Sequence, residues 1–319
     1  MHPAAVPAPA VPENDTPVTR CWQHRLNFER QHGLETGNEH TLKTWQMRFL
    51  VRAATLGLKL LGLYERGRRN ARSPHLRRKE LRFADLPPGL DGLRILHLSD
   101  FHFPRDDEPF MAAVTRLLDG IETDLCVLTG DYKYGHYGPP DRVPVHLARV
   151  LAGIRSAHGF HAILGNHDLA SMVPLLEGIG VTMLVNRGLA VPFGGATVWL
   201  AGVDDPHKFR AAHLPSAMAG APAEAFKIAL VHSPECAEEA DALGARLYLC
   251  GHTHGGQLRL PLWGAIKLNS RSKVEYARGH WRCGAMQGYT TDGLGVTDFP
   301  LRFNCPPEAC LFTLRRAGD

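Results

Sequence analysis

The sequence predicts a layered α/β domain with a basic, partly helical segment in front of it. Three observations lead there. The 319 residues are 44% apolar and 21% charged, which is ordinary for a globular chain and wrong for a disordered or polytopic membrane protein. Beyond Phe83, short apolar runs alternate with polar loops and amphipathic stretches. Nearly every one of those runs is followed at once by Asp, Asn or His.

The length allows about two domains at roughly 150 residues each, and the charge is unevenly shared. Residues 1–82 carry 15 Lys/Arg against 7 Asp/Glu, or +8, so the rest of a chain whose net charge is +4 stands at −4. A basic head on a mildly acidic body points to a membrane surface or a nucleic acid as what the head meets, and the helix described below favours the membrane. The seven cysteines are scattered and odd in number, with Cys126 and Cys250 inside apolar runs, which favours a reducing compartment over a disulfide framework.

Residues 1–20 are rich in Pro and Ala without periodicity, and 1–44 as a whole is expected to be a disordered or irregular tail. No secretory signal is expected, because the first apolar run begins only near Trp45. From Trp45 to Tyr64 the period is helical, with Arg48, Arg52, Thr55 and Lys59 in one stripe. Two readings fit: a helix packed on the core, or a helix lying in a membrane interface. A span fits least, because Arg52 and Lys59 near its middle would each cost about 2.5–3.5 kcal/mol. Arg66, Arg68, Arg69, Arg72, Arg77, Arg78 and Lys79 follow with no acid among them, so residues 45–79 match an anionic lipid surface. Residues 45–82 are taken as this helix and its linker, and were it to span, the positive-inside rule would put the body, 83–319, on the cytoplasmic side.

In the body the expected strands are Leu93–Leu98, Leu125–Thr129, Phe160–Leu164, Val181–Val185, Thr197–Val203, Lys227–Val231 and Arg246–Cys250. The residues after them, in order, are Asp100-Phe101-His102, Gly130-Asp131, Gly165-Asn166-His167-Asp168, His232 and Gly251-His252-Thr253-His254. Loops at the carboxyl ends of strands are where layered α/β proteins build sites. One such residue alone reads as a cap or a surface polar group. Five such places in one domain, offering imidazole, carboxylate and amide oxygen but no thiolate, read as a catalytic site for a divalent cation. In D-x-H and H-x-H an extended backbone would point both end residues to one side.

These motifs, in this order, resemble the calcineurin-like metallophosphoesterase superfamily over about Leu93 to Leu314. The resemblance implies a four-layer αββα sandwich of two mixed sheets flanked by helices. It implies one metal held by Asp100, His102, Asp131 and His254, and a second held by Asp131, Asn166, His232 and His252, with Asp131 bridging. It implies that His167 is a non-ligand histidine that stabilises the transition state or protonates the leaving group, with Asp168 orienting its ring. Two metals would clamp both the attacking and the leaving oxygen and make water a usable nucleophile near neutral pH. Manganese heads the candidate metals, and iron, zinc, cobalt and magnesium suit the same ligands.

Departures from subfamily patterns narrow the substrate. Gly130-Asp131-Tyr132-Lys133-Tyr134-Gly135 lacks the arginine of protein Ser/Thr phosphatases. His102 separates the chain from purple acid phosphatases, although Tyr134 stands where theirs does. Gly251–Gln257 with Pro300-Leu301-Arg302-Phe303 and Pro306-Pro307-Glu308 resembles a bacterial branch of membrane-associated phosphodiesterases. That branch includes an enzyme hydrolysing the pyrophosphate of UDP-2,3-diacylglucosamine in lipid A synthesis. Arg105, Lys133, Arg187 and Lys208 are loop cations near the motifs, each read as solvated or phosphate-binding, and His207 as a shaping residue.

The leading expectation is thus a peripheral, cytoplasm-facing hydrolase with two metals that cleaves a phosphodiester or pyrophosphate presented at the bilayer. The alternatives are the same site acting on soluble nucleotides or small phosphoesters, and a non-catalytic scaffold. Oligomeric state is left open.

Overall fold

A computed structural model describes residues 15–37, 53, 55–104, 107–297 and 299–318. Trp45, Arg48, Arg52 and Arg105, and the tail before residue 15, lie outside the described residues.

Two six-stranded sheets carry the chain. The strands are β1 (His75–Phe83), β2 (Arg94–Leu98), β3 (Ile121–Thr123), β4 (Leu125–Leu128), β5 (Ile154–Ser156), β6 (Phe160–Ala162), β7 (Val181–Met183) and β8 (Arg187–Phe193). They continue as β9 (Ala196–Gly202), β10 (Phe226–Leu230), β11 (Leu247–Cys250), β12 (Arg259–Leu260), β13 (Gly264–Ala265), β14 (Gly279–Cys283), β15 (Met286–Thr290) and β16 (Glu308–Arg316). The first sheet runs β1-β16-β2-β4-β6-β7 and the second β14-β15-β11-β10-β9-β8. Both are mixed: β2, β4, β6 and β7 are parallel, as are β9, β10, β11 and β15, whereas β16 meets β2 and β8 meets β9 antiparallel.

Alternation along the strands builds the layers, because successive side chains leave opposite faces. Ile95, Leu125 and Val127 of the first sheet meet Ile228, Leu230, Leu247 and Leu249 of the second in one buried cluster between the sheets. Their neighbours Leu96, Leu98, Cys126 and Leu128 turn outward to pack with Phe110, Val114, Leu147 and Val150 of two helices, Glu108–Leu118 and Val143–Leu151. Ala229, Tyr248 and Cys250 pack on the opposite outer face with Leu214 and Ala240 of the helices Leu214–Met218 and Ala237–Ala242. This is the expected four-layer αββα sandwich. All seven cysteines are free thiols.

The front of the chain corrects two expectations. Within the tail expected to be irregular, Pro17–Gln31 forms a helix, α1. Thr16 caps it by accepting from the Thr19 N–H at 3.1 Å, and Pro17 supplies the fixed φ of the first turn. Thr19, Trp22 and Arg25, three apart and so on one face, are its buried residues, and Trp22 and Leu34 join the core beneath the first sheet. The expected linker to residue 82 holds β1, which pairs in parallel with β16 from His75↔Glu308 to Phe83↔Arg316. The sandwich therefore begins at residue 75 and recruits α1 as well.

Residues 55–60 are helical, but the helix expected through Tyr64 breaks at Leu61 and Gly62, where Gly62 takes φ 68. A second helix, α2 (Leu63–Ala71), starts there. Among the described residues no helix is long and apolar enough to cross a membrane.

Candidate metal centre

The loops after β2, β4, β6, β10 and β11 converge, as the strand-end pattern predicts. Asp131 Oδ2 is the focus: His232 Nε2 lies 3.2 Å from it, His102 Nε2 3.5 Å and His167 Nε2 4.0 Å. On one side His102 Nε2 is 3.0 Å from His254 Nε2, and Asp100 Oδ1 is 3.4 Å from the same atom. On the other, Asn166 Oδ1 lies 2.9 Å from His232 Nε2 and 2.7 Å from His252 Nδ1. Metal-sized groupings follow: Asp100, His102 and His254; Asp131, His232 and His252; and a third, His102, Asp131 and His167.

The backbone differs from the extended geometry expected of D-x-H and H-x-H. Asp100, His102, Asp131, His252 and His254 all stand at positive φ, between 41° and 71°. Non-glycine residues adopt that region at a cost, and such strain clusters at functional sites. Neither triplet is extended: Asp100 and His102 meet in one grouping, whereas His252 and His254 go to two different ones. The glycines of the motifs have a steric cause: a Cβ at Gly165 would strike Asp131 Oδ1, and one at Gly251 would strike Asp100 Oδ2.

The donor set fits divalent cations. The Nδ1 atoms of His232 and His102 lie 2.7 Å and 3.2 Å from the carbonyls of Thr129 and Lys133, so each donates there and turns the Nε2 lone pair inward. Those lone pairs then face Asp131 Oδ2, and His232 also faces Asn166 Oδ1; converging acceptors need a cation between them. Protons take that place in a metal-free site: against the desolvation of burial, Asp131 holds His232 up to about 10. Burial and the nearby Asp131 push the Asp100 carboxyl up to about 7. Burial keeps His254 and His252 well below the ordinary imidazole range, in the neutral form that coordinates metal.

Asp168 has a different task from the expected one. Its carboxylate accepts from the N–H groups of Asp131 (2.7 Å), Tyr132 (2.9 Å), Lys133 (3.2 Å) and Gly165 (2.8 Å). It ties two motif loops together and makes no contact with the His167 ring among the described residues. That ring is held by stacking on His136 at 3.7 Å and edge-on against His102 at 4.6 Å, and the His167 N–H donates to Asp131 Oδ1 at 2.8 Å. Among the described residues its Nδ1 is buried without a hydrogen-bond partner.

Arg25, His136, Asp204, Asp205 and the task of Arg302 escape sequence reasoning, whereas Lys208 and His207 are loop residues that it singles out. Arg25 of α1 is fully buried, pairs with Asp204, donates to the Asp168 carbonyl at 2.5 Å and to Glu29 at 2.9 Å. Asp204 opens a loop in which Asp205 accepts from the N–H groups of His207, Lys208 and Phe209, at 3.1, 2.7 and 2.8 Å. That loop sets Lys208 Nζ 3.1 Å from His136 Nδ1, and burial lowers the amine to about 8. It also sets His207 against the His252 ring, centroids 4.2 Å apart, with Nδ1 on Glu235 at 2.7 Å. Arg302, also fully buried, donates to the carbonyls of Asp292 and Gly295 at 2.7 and 2.6 Å and lies 3.2 Å from His254 Nδ1. The Asp-Asp-Pro-His string and the Pro-Leu-Arg-Phe string are the signals available for these, while nothing local marks Arg25 or His136.

The other loop cations sort by their partners. Lys133 Nζ reaches the carbonyls of Gly135 and Tyr137 at 3.1 and 2.8 Å, and Arg187 donates to the Met183 carbonyl at 2.8 Å. Glu308 pairs with Arg77 and also accepts from the Tyr289 hydroxyl at 3.0 Å.

Two mixed sheets carrying such a centre at their strand ends define a metal-dependent phosphoester hydrolase. A family model described as the calcineurin-like phosphoesterase superfamily domain matches residues 93–259, and the chain belongs to that superfamily. It is 33% identical over 251 residues to the uncharacterized metallophosphoesterase YkuE of Bacillus subtilis, covering 72% of this chain and 82% of that one. It is 30% identical over 230 residues to the phosphodiesterase YaeI of Escherichia coli, covering 69% and 82%. A more distant relative, 25% identical over 279 residues and covering 70% and 83%, is the UDP-2,3-diacylglucosamine pyrophosphatase LpxG of Chlamydia trachomatis.

Proposed function

We propose that the protein hydrolyses a phosphodiester or pyrophosphate bond in a substrate presented at a membrane, with a lipid nucleotide such as UDP-2,3-diacylglucosamine as the leading candidate. The observation that carries the chemistry is Asp131 Oδ2 flanked by three imidazole Nε2 atoms within 4.0 Å. Asp100, His102, Asp131 and His254 would hold one divalent cation, and Asp131, Asn166, His232 and His252 the other, with manganese the first candidate. Such a pair supplies an activated water and neutralises charge on the phosphoryl oxygens.

The chain's own groups do the rest. Asp168 locks the Asp131 and Gly165 loops by its four N–H acceptances, so that the ligands keep their spacing. His167, pressed between His136 and His102, would stabilise the transition state or pass a proton from its ring to the leaving oxygen. Lys208 beside His136 offers a positive charge to the anionic substrate.

Membrane presentation is supported by the acid-free basic run 66–79 and by Leu56, Leu60 and Leu61, which are 58%, 80% and 72% exposed just before it. The location that follows is the inner face of the cytoplasmic membrane. The test is manganese-dependent turnover after chelation, comparing UDP-2,3-diacylglucosamine in detergent with bis-p-nitrophenyl phosphate. Preference for the lipid nucleotide, lost in Asp131→Ala, is expected. Turnover of the generic diester alone would keep the phosphodiesterase and remove the lipid nucleotide.

A further inference from the structure

Five large apolar side chains stand in solvent within one short segment: Leu260, Leu262, Trp263, Ile266 and Val274. Four of them belong to the β12–β13 hairpin or its flank, where Leu260 pairs with Gly264 and Arg259 with Ala265. At its tip Leu262 is fully exposed and Trp263 is 86% exposed. Leu262 also stands at φ 68, a conformation that turns normally assign to Gly or Asn. An indole and a strained leucine at an exposed tip contribute nothing to the core; contiguous apolar surface of this kind marks an interaction site.

The hairpin's place in the fold adds to this. It starts five residues after His254 of the metal centre. Its base is tied to 301–303: the Arg259 N–H donates to the Phe303 carbonyl at 3.0 Å, and the Phe303 N–H to the Gln257 carbonyl at 3.1 Å. The same segment seats α2, through Arg302 N–H on the Gly67 carbonyl at 3.1 Å and Asn70 Nδ2 on the Arg302 carbonyl at 2.9 Å. Gly67 has no room for a Cβ against the Phe303 ring. The hairpin and the helix that follows the exposed Leu56, Leu60 and Leu61 are thus mounted on one strip of chain beside the metal centre.

Charge selects the partner. Residues 258–273 contain Arg259, Lys267, Arg271 and Lys273 and no acid, and 66–79 contains seven cations and no acid; of these Arg72, Arg77 and Lys273 pair with Asp107, Glu308 and Glu238, and the others carry the positive face. A second copy docking on this face would set like charges against each other, whereas an anionic bilayer meets them with the opposite sign and accepts the Trp and Leu at headgroup depth. We propose that the β12–β13 hairpin is a second insertion point into an anionic lipid surface, fixing the mouth of the metal centre against the bilayer. The proposal deepens the membrane-presented reading above and rests on it.

The experiment uses the full chain with vesicles of phosphatidylcholine, with or without phosphatidylglycerol and brominated lipid. Trp45 is replaced in Trp45→Phe, and Trp22, Trp199 and Trp281 are 8%, 8% and 5% exposed, so membrane quenching reports on Trp263. Expected are co-sedimentation with the anionic vesicles, bromolipid quenching that disappears in Trp263→Phe, and binding weakened about tenfold or more in Leu262→Ser/Trp263→Ser. Hydrolysis of dissolved bis-p-nitrophenyl phosphate by that double variant should match the parent. Binding with quenching unchanged in Trp263→Phe would overturn the hairpin's role and leave the membrane reading standing. Absence of binding to any vesicle would overturn both. A dimer that the double variant dissociates, without vesicle binding, would assign the hairpin to a second copy and overturn the lipid assignment.

Discussion

Arg25 donates to the carbonyl oxygen of Asp168 across 143 positions of sequence, at 2.5 Å, while its other terminal nitrogen pairs with Asp204. A helix that begins before the family-matched residues 93–259 thereby braces both the His167–Asp168 loop and the loop that carries Lys208. Arg25 is stacked on Phe209 at 3.9 Å and fully buried, so its loss strands a buried carboxylate. Arg25→Met should cost about 3–5 kcal/mol of stability, the scale for removing one partner of a buried pair, and should lower kcat. Denaturant unfolding beside bis-p-nitrophenyl phosphate kinetics checks it; unchanged stability would show that α1 only rests on the surface. Removing 1–82 should unfold the body, because Leu81 of β1 is lost from the core between the sheets.

Arg302 is the other buried arginine, and it holds the His254 ring and the 292–295 carbonyls in one place. Arg302→Met should weaken metal loading about 10–100-fold, the usual effect of removing a group behind a ligand. Manganese titration by calorimetry reads this directly, and an unchanged affinity would remove Arg302 from the centre.

His97 gives a pH test independent of the ligands. Its ring is buried on the first sheet, 2.8 Å from Thr129 Oγ1, and burial lowers it from 6.5 to about 3. The unfolded chain takes up this proton first as pH falls, so the native state is fully favoured above pH 6.5 and loses stability from there toward pH 3. One such group contributes a slope of about 1.4 kcal/mol per pH unit. In chelator, His97→Gln should show a shallower fall than the parent over that window; identical slopes would mean that the ring is protonated in the folded chain.

Gly251→Ala should impair folding or metal loading, since its Cβ has no room beside Asp100 Oδ2 and Ser99. Thermal melting with and without manganese distinguishes the two, and a variant that melts and loads like the parent would show that the Asp100 and Gly251 loops can part.

The seven strands expected in the body are all present, with ends shifted by at most two residues, because buried strands read as uninterrupted apolar runs. The motif residues converge as their strand-end positions imply. What sequence hides is long-range. β1, read as a basic linker, is an edge strand that buries only Leu81 and Phe83 and leaves Arg78, Glu80 and Arg82 in solvent, so its charges mask its pairing with β16. α1 is obscure for a related reason: its most buried side chain is an arginine whose partners, Asp168 and Asp204, lie far along the chain. The task of Asp168 is hidden too, since four main-chain N–H groups leave no trace in residue type.

In the proposed function Asp131 joins two cations into one hydrolytic centre. Metal content per chain, measured after reconstitution with manganese for the parent and Asp131→Asn, tests it most directly when paired with bis-p-nitrophenyl phosphate turnover. Expected are two manganese ions per parent chain, loss of at least one in the variant, and turnover that falls with it. Full metal content and full turnover in Asp131→Asn, or parent turnover that survives chelation, would contradict it.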